Sequence, residues 1–156
     1  MSTNSEGIFF LTGKDFTSAG AASSNLKGVL EGMGISPSII RRVAIAAFEA
    51  EMNVIIYAVA GMMNYSITSE SVKIRVQDMG PGIEDVDQAM KEGYSTAPDY
   101  IREMGFGSGM GLPNIKKNAD VLTVNSIPGE GTIVEFTINL APVEQRSMHE
   151  TAGNNR

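Results

Sequence analysis

Two glycine clusters constrain this chain more than any other feature, because the backbone around each must stay open to something other than itself. The first, Asp78-Met79-Gly80-Pro81-Gly82-Ile83, directly follows the strand-like run Val72-Lys73-Ile74-Arg75-Val76. The second, Gly105-Phe106-Gly107-Ser108-Gly109-Met110-Gly111-Leu112, lies 22 residues further on and opens a short helical stretch from Pro113 to Ala119. Glycines at every second position (Gly105, Gly107, Gly109, Gly111) expose backbone N–H groups that no Cβ shields. A helix start adds its own unpaired donors and the positive end of its dipole. That is a phosphate cradle in outline. An aspartate held at a strand end by a Gly-Pro-Gly turn supplies an acceptor for an amino group. Together the clusters imply a purine nucleotide gripped at its base by one loop and at its phosphates by the other.

The rest of the chain bounds what can surround such a site. At 156 residues and 42% hydrophobic content it reads as one soluble α/β domain with a full core. Its longest apolar candidate, Val54 to Ala60, is far too short to span a membrane, and no basic-then-apolar secretion signal stands at the N-terminus. Without cysteine there are no disulfides or thiolate metal sites, which is compatible with a cytoplasmic setting. A net charge of −6 argues against general nucleic-acid binding and fits protein partners.

Read for periodicity, Gly7 to Thr12 is a strand after a frayed start, and Asp15 or Thr17 caps a helix running to about Met33. Ser38 to about Ala60 is a helix apolar nearly all round, hence buried between layers. Met62 to Thr68 and Ser71 to Gln77 are strands, Glu84 to Glu92 a short helix, and Gly93 to Gly111 a polar, mobile span. Val121 to Ser126 and Thr132 to Leu140 form a hairpin through Pro128-Gly129-Glu130-Gly131. The expected fold is an α+β two-layer sandwich, with helices on one face of a mixed, mostly antiparallel sheet. One domain fills residues 1–142, and 143–156 form a disordered tail that holds His149, the one histidine, read as a bystander.

On the buried helix, Glu49 and Asn53 sit four apart and share a face, while Glu51 points about 200° away. Phosphoryl transfer offers both polar groups work: Glu49 can take the proton of an attacking hydroxyl, and the Asn53 amide oxygen can ligate Mg²⁺. The structural alternative pairs Glu49 with Arg41 or Arg42 and leaves Asn53 to cap a loop.

The joint order of these boxes (Glu-x-x-x-Asn on a helix, Asp-x-Gly-x-Gly after a strand, the glycine run before a helix, Gly131-Thr132 starting a strand) resembles the GHKL ATPase superfamily over roughly residues 38–140. Within it the chain is most similar to small bacterial anti-sigma serine/threonine kinases and stress-signalling switch kinases. The resemblance also rests on Gly93-Tyr94-Ser95-Thr96 and on Gly109-Met110-Gly111-Leu112-Pro113-Asn114-Ile115-Lys116-Lys117. It implies ATP and Mg²⁺ as cofactors, with Glu49 as general base and Asn53 as metal ligand. Asp78 would bind the adenine amino group, Gly80 and Gly82 would shape the base pocket, and Thr132 would assist through water. Gly105, Gly107, Gly109 and Gly111 would close over the phosphates, with Ile83, Met110 and Leu112 of the same boxes contributing contacts. The partner implied is an anti-sigma antagonist or a sigma factor, with no nucleic acid and no membrane, and a homodimer is compatible. Two other activities fit the same boxes: a nucleotide-responsive binding switch without transfer, and a detached histidine-kinase catalytic domain. Two departures stand out, Met52 before the asparagine and the extra segment Ala97 to Glu103.

Overall fold

The computed structural model describes residues 4–93, 95, 97, 99 and 110–140. Five strands, β1 (Ser5–Thr12), β2 (Ala60–Ile67), β3 (Ser71–Met79), β4 (Val121–Ile127) and β5 (Gly131–Asn139), form one sheet in the order β1-β2-β3-β5-β4. All four pairings are antiparallel, so the sheet has no parallel component. The helices are α1 (Ala21–Gly32), α2 (Pro37–Tyr57), the short α3 (Val86–Ala89) and α4 (Gly111–Asn118). This is the expected α+β sandwich.

Register and side-chain alternation make the layers. Phe9, Met63, Val76, Val134 and Val124 stand opposite one another across all five strands, and Tyr65, Ile74, Phe136 and Leu122 form the next row. Because successive side chains alternate faces, these rows all point to the core, while Ile8, Asn64, Arg75, Glu135 and Thr123 form a row on the open face. Helix α2 supplies the opposing layer with buried Val43, Ala46, Ala47, Ala50 and Val54. It lies against α1, α4 and the sheet, as its all-round apolar character predicts.

Element boundaries differ from the sequence reading where a local contact outcompetes periodicity. Strand β1 starts at Ser5, inside the stretch expected to fray. Helix α1 starts at Ala21 rather than near Asp15: the Asp15 carboxylate accepts from Ser18 N–H and closes a 3₁₀ turn, Phe16–Ser18. Helix α2 ends at Tyr57, short of the expected Ala60, and the loop after β1 packs against that end. There Lys14 N–H donates to Ile55 O at 2.7 Å, the Lys14 ammonium donates to Ile56 O, and Gly13 N–H donates to Val59 O at 2.8 Å. The helix expected over Glu84 to Glu92 contracts to Val86–Ala89, capped by Asp85 on Gln88 N–H. Helix α4 begins at Gly111, two residues before the expected start. The tail with His149, and Gly105, Gly107 and Gly109 of the glycine run, lie outside the described residues.

Glu51 explains how α1 and α2 are locked together. It is 1% exposed, and its carboxylate accepts from Gly20 and Ala22 N–H (3.0 and 3.3 Å) through Oε2 and from Ser23 N–H (3.0 Å) through Oε1. The N-cap position of α1 is Gly20, which has no side chain to cap with. A carboxylate from another helix therefore satisfies the orphan donors and meets the positive end of the dipole. Glu51→Gln, which sets an NH₂ among those donors, is expected to destabilise the fold by about 2–4 kcal/mol in denaturant titration. Amide exchange should accelerate first at Gly20 to Ser23.

Candidate active site

The structure brings the named residues together in two groups, one along the α2–α4 contact and one at the β3–β5 end. At the first, Glu49 and Asn53 are both half-buried beneath the start of α4. A Cβ on Gly111 would lie 3.2 Å from Asn53 Oδ1 and 3.4 Å from Glu49 Oε2, so only a glycine leaves both groups unobstructed. Glu49 does not pair with Arg41 or Arg42. Its Oε1 accepts from Asn114 Nδ2 at 3.4 Å, whereas Arg42 turns to Asp120 Oδ1 (3.2 Å) and Asn118 O (3.0 Å). Desolvation pushes the Glu49 carboxyl above the ordinary glutamate range, partly opposed by the Asn114 bond. Among the described residues no side chain hydrogen-bonds Asn53, which leaves its carboxamide for a ligand.

Those donors fit a magnesium ion shared with phosphates rather than a protein cage. Asn53 offers one hard oxygen, and among the described residues no group of three His, Cys, Asp or Glu could hold a metal. Mg²⁺ keeps its waters and takes few protein ligands when phosphate oxygens complete its shell.

At the second group, Asp78 sits at the end of β3, half-buried, with Oδ1 accepting from Thr132 N–H at 3.1 Å. Burial raises its carboxyl above the ordinary aspartate range, and the Thr132 bond lowers it in part. Gly80 lies against Ala58 just past the end of α2. Gly82 has φ +74°, and a Cβ there would come within 2.5 Å of Ile127 O, so the turn requires glycine twice over. Ile83 N–H donates to Ser126 Oγ at 2.6 Å, and Ser126 Oγ is 2.9 Å from Thr132 Oγ1. Asp78, Thr132, Ser126 and Ile83 thus form a continuous polar chain at the loop.

Ser126 and Asn114 are the residues that sequence reasoning missed. The hairpin turn, once placed, pairs Ile127 with Gly131 and so sets Ser126 opposite Thr132, a pairing that register alone could have given. Asn114 stands in the stretch Gly109 to Lys117 that carries the resemblance, but no local pattern gave it a role. Ile83 lies on the loop after β3, Met110 at the N-cap of α4 and Leu112, buried, in its first turn. Met52, the departure from the family pattern, is 4% exposed and clusters with Ile55, Ile56 and Ala97, the first residue of the extra segment. A cleft of about 380 Å³ between β1 and α1, lined by Leu11, Asp15, Asn25, Glu51 and Ile55, contains none of the predicted site residues. Among the described residues no helix is long and apolar enough to cross a membrane.

Comparison with known proteins gives this arrangement a family context. Residues 14–138 match the histidine kinase-like ATPase domain. The chain is 30% identical to the serine/threonine-protein kinase RsbT of Bacillus subtilis over 113 residues, which span 70% of this chain and 79% of that protein. It is 34% identical to the anti-sigma F factor of Caldanaerobacter subterraneus over 110 residues, covering 66% of this chain and 73% of that protein. With the anti-sigma F factor of Pasteuria penetrans it shares 37% identity over 95 residues, 56% of this chain and 60% of that protein. A chain of the SiaB–SiaC complex from Pseudomonas aeruginosa superposes with a TM-score of 0.52 at 12% identity, covering 85% of this chain and 89% of that one. That likeness concerns the fold alone.

Gly111→Ala tests the geometry without threatening the helix, since alanine favours helix by about 0.5–1 kcal/mol over glycine. The unfolding temperature should hold or rise, while the stabilisation conferred by Mg²⁺–ATP in a thermal-shift titration weakens, with affinity lower by roughly tenfold. Unchanged nucleotide affinity would separate Gly111 from the site.

Proposed function

The chain belongs to the histidine kinase-like ATPase family, and from that premise we propose that it is an ATP-dependent serine/threonine protein kinase of the anti-sigma type. Its acceptor would be a small partner protein, an anti-sigma antagonist or a regulator of comparable role, met in the cytoplasm. The observation that carries the proposal is the pairing of half-buried Glu49 with the uncommitted carboxamide of Asn53 under Gly111. Identity to the RsbT kinase over most of both chains supports the same reading.

In the proposed reaction a partner serine or threonine hydroxyl attacks the γ-phosphorus of ATP. Glu49 accepts the hydroxyl proton as the new O–P bond forms, and the bond from the γ-phosphorus to its bridging oxygen breaks, releasing ADP. A carboxylate made more basic by burial is better matched to this task than one in water. Mg²⁺, held by Asn53 Oδ1 together with the phosphates, would supply charge neutralisation. Asp78, oriented by Thr132 N–H, would accept from the adenine amino group, with Gly80, Gly82 and Ile83 around the base. Gly111, Met110 and Leu112, with Gly105, Gly107 and Gly109 of the same run, would offer backbone donors and contacts to the phosphates. Ile8, Phe10 and Met62, exposed on the open face of the sheet, are the surface on which a homodimer would form.

Incubation with γ-labelled ATP and candidate partners tests the activity: label on a partner serine or threonine is expected. Binding without transfer would mark a nucleotide-responsive switch, and label on histidine would mark a detached histidine-kinase domain. Glu49→Gln should leave ATP affinity within a few-fold and lower transfer by roughly 10²–10⁴. Asp78→Asn should weaken adenine binding more than guanine binding, because it can present a donor to the adenine amino group.

The raised carboxyls fix the pH dependence. Both must be ionised to act, so transfer should fall on the acid side, at a pH above the ordinary carboxylate range. For stability the sign is opposite. The folded chain holds protons that the unfolded chain releases, so the contribution of these groups to stability is lost as pH rises through their raised values. Nucleotide-free Glu49→Gln should therefore melt higher than the parent chain at neutral pH and lose that advantage in acid.

A further inference from the structure

The proposed reaction uses Glu49 and Asn53 but leaves the rest of their helix face unexplained. Arg42, Glu49 and Asn53 are spaced by seven and four residues, which puts them on one stripe of α2 roughly 40° wide at about 100° per residue. They meet α4 turn by turn in antiparallel order. Arg42 Nε donates to Asn118 O at 3.0 Å at the end of α4, Asn114 Nδ2 donates to Glu49 Oε1 at 3.4 Å in its middle, and Gly111 lies over Asn53 at its start. Asn118 Nδ2 donates in turn to Asn114 O at 2.8 Å, so the anchored end of α4 is tied to the residue that reaches Glu49.

From this seam we infer that Asn114 is a positioning residue for Glu49, holding Oε1 from α4 so that Oε2 faces Gly111 at the start of α4, beside Asn53. The inference rests on the reading of Glu49 as the base. Asparagine is a poor interior helix residue, and its amide here serves a side chain 65 positions away rather than its own helix. The chemistry suits a neutral donor. It favours the ionised carboxylate and keeps one oxygen in place, whereas a cation would form an ion pair and drain its basicity. The charged groups on the flanking elements are occupied elsewhere: Arg42 with Asp120, Lys117 with Glu92 at 2.6 Å, and Glu51 with the start of α1. Lys116 is exposed. At 3.4 Å the bond is long, as bonds to catalytic groups often are before substrate binds.

The test titrates the Glu49 side-chain carboxyl by carbon-13 NMR in nucleotide-free protein, in the parent chain and in Asn114→Ala, which α4 should tolerate because alanine favours helix. The Glu49 midpoint should shift upward in Asn114→Ala and further in Asn114→Asp, where a second carboxylate faces the first. ATP affinity in Asn114→Ala should stay at the parental value, and the ATP hydrolysis of the isolated chain should fall at acidic pH and recover as pH is raised. A Glu49 midpoint unmoved in both variants overturns the inference. A midpoint that moves while the pH profile of hydrolysis does not would uphold the contact and remove Glu49 from the role of base, so the two failures are distinguishable.

Discussion

Everything in this molecule is hung on α2, a helix that must be buried on nearly all sides and still carry polar groups. A helix without a wet face can keep charged residues only where another element offers complementary groups. Two charged residues of α2, Glu51 and Arg42, accordingly mark docking directions. Glu51 faces the bare N-terminus of α1 and takes three of its N–H groups. Arg42 faces the other way and takes the last carbonyl of α4 with Asp120. Asp120 in turn accepts from Asn139 N–H at 2.7 Å, which ties the segment after α4 to the C-terminal end of β5. The two helices flanking α2 are thus placed by opposite charges meeting opposite ends of helix dipoles. The sheet below packs on α2 mainly through apolar side chains.

This arrangement leaves Glu49 and Asp78 under-compensated. Neither has an ion-pair partner among the described residues, and burial raises both carboxyls. A fold selected for stability alone would neutralise them. Arg42, two turns from Glu49 on the same face, is well placed to do so and is committed to Asp120 instead. Hydrogen bonds from neutral donors, Asn114 and the Thr132 backbone, hold the two carboxylates in position without quenching them. The cost in stability is the mark of a site that keeps reactive acceptors for a ligand.

How much of this was legible in the sequence follows from what kind of contact set each feature. Alternation across β2, β3 and β5, the turn at Pro128 to Gly131 and the all-round apolar character of α2 are local patterns, and each marks its element to within a few residues. The face shared by Glu49 and Asn53, and the divergence of Glu51, follow from helical geometry. The partners of these residues do not. Glu51 acts on backbone 28 to 31 positions away and Arg42 on a residue 78 positions away, and periodicity carries no information about such pairings. The local rule that suggested Arg42 for Glu49 fails because a carboxylate and a helix carboxyl end together offer the guanidinium more than one half-buried glutamate does.

The same separation of local from distant contacts explains why the base loop sits where it does. The Asp78 loop is built against the end of α2: Val59 N–H donates to Met79 O at 2.9 Å, and Gly80 lies against Ala58. Asn53 lies five residues before Ala58, so about 7.5 Å of chain advance at helical rise separates it from the end of α2 against which the Asp78 loop packs. The helix that carries Asn53 leads directly into Ala58 and Val59, and the donors of Gly13 and Lys14 meet the same end. The loop after β1, far from the glycine boxes in sequence and without a motif of its own, therefore packs on the same end of α2 that the Asp78 loop is built against.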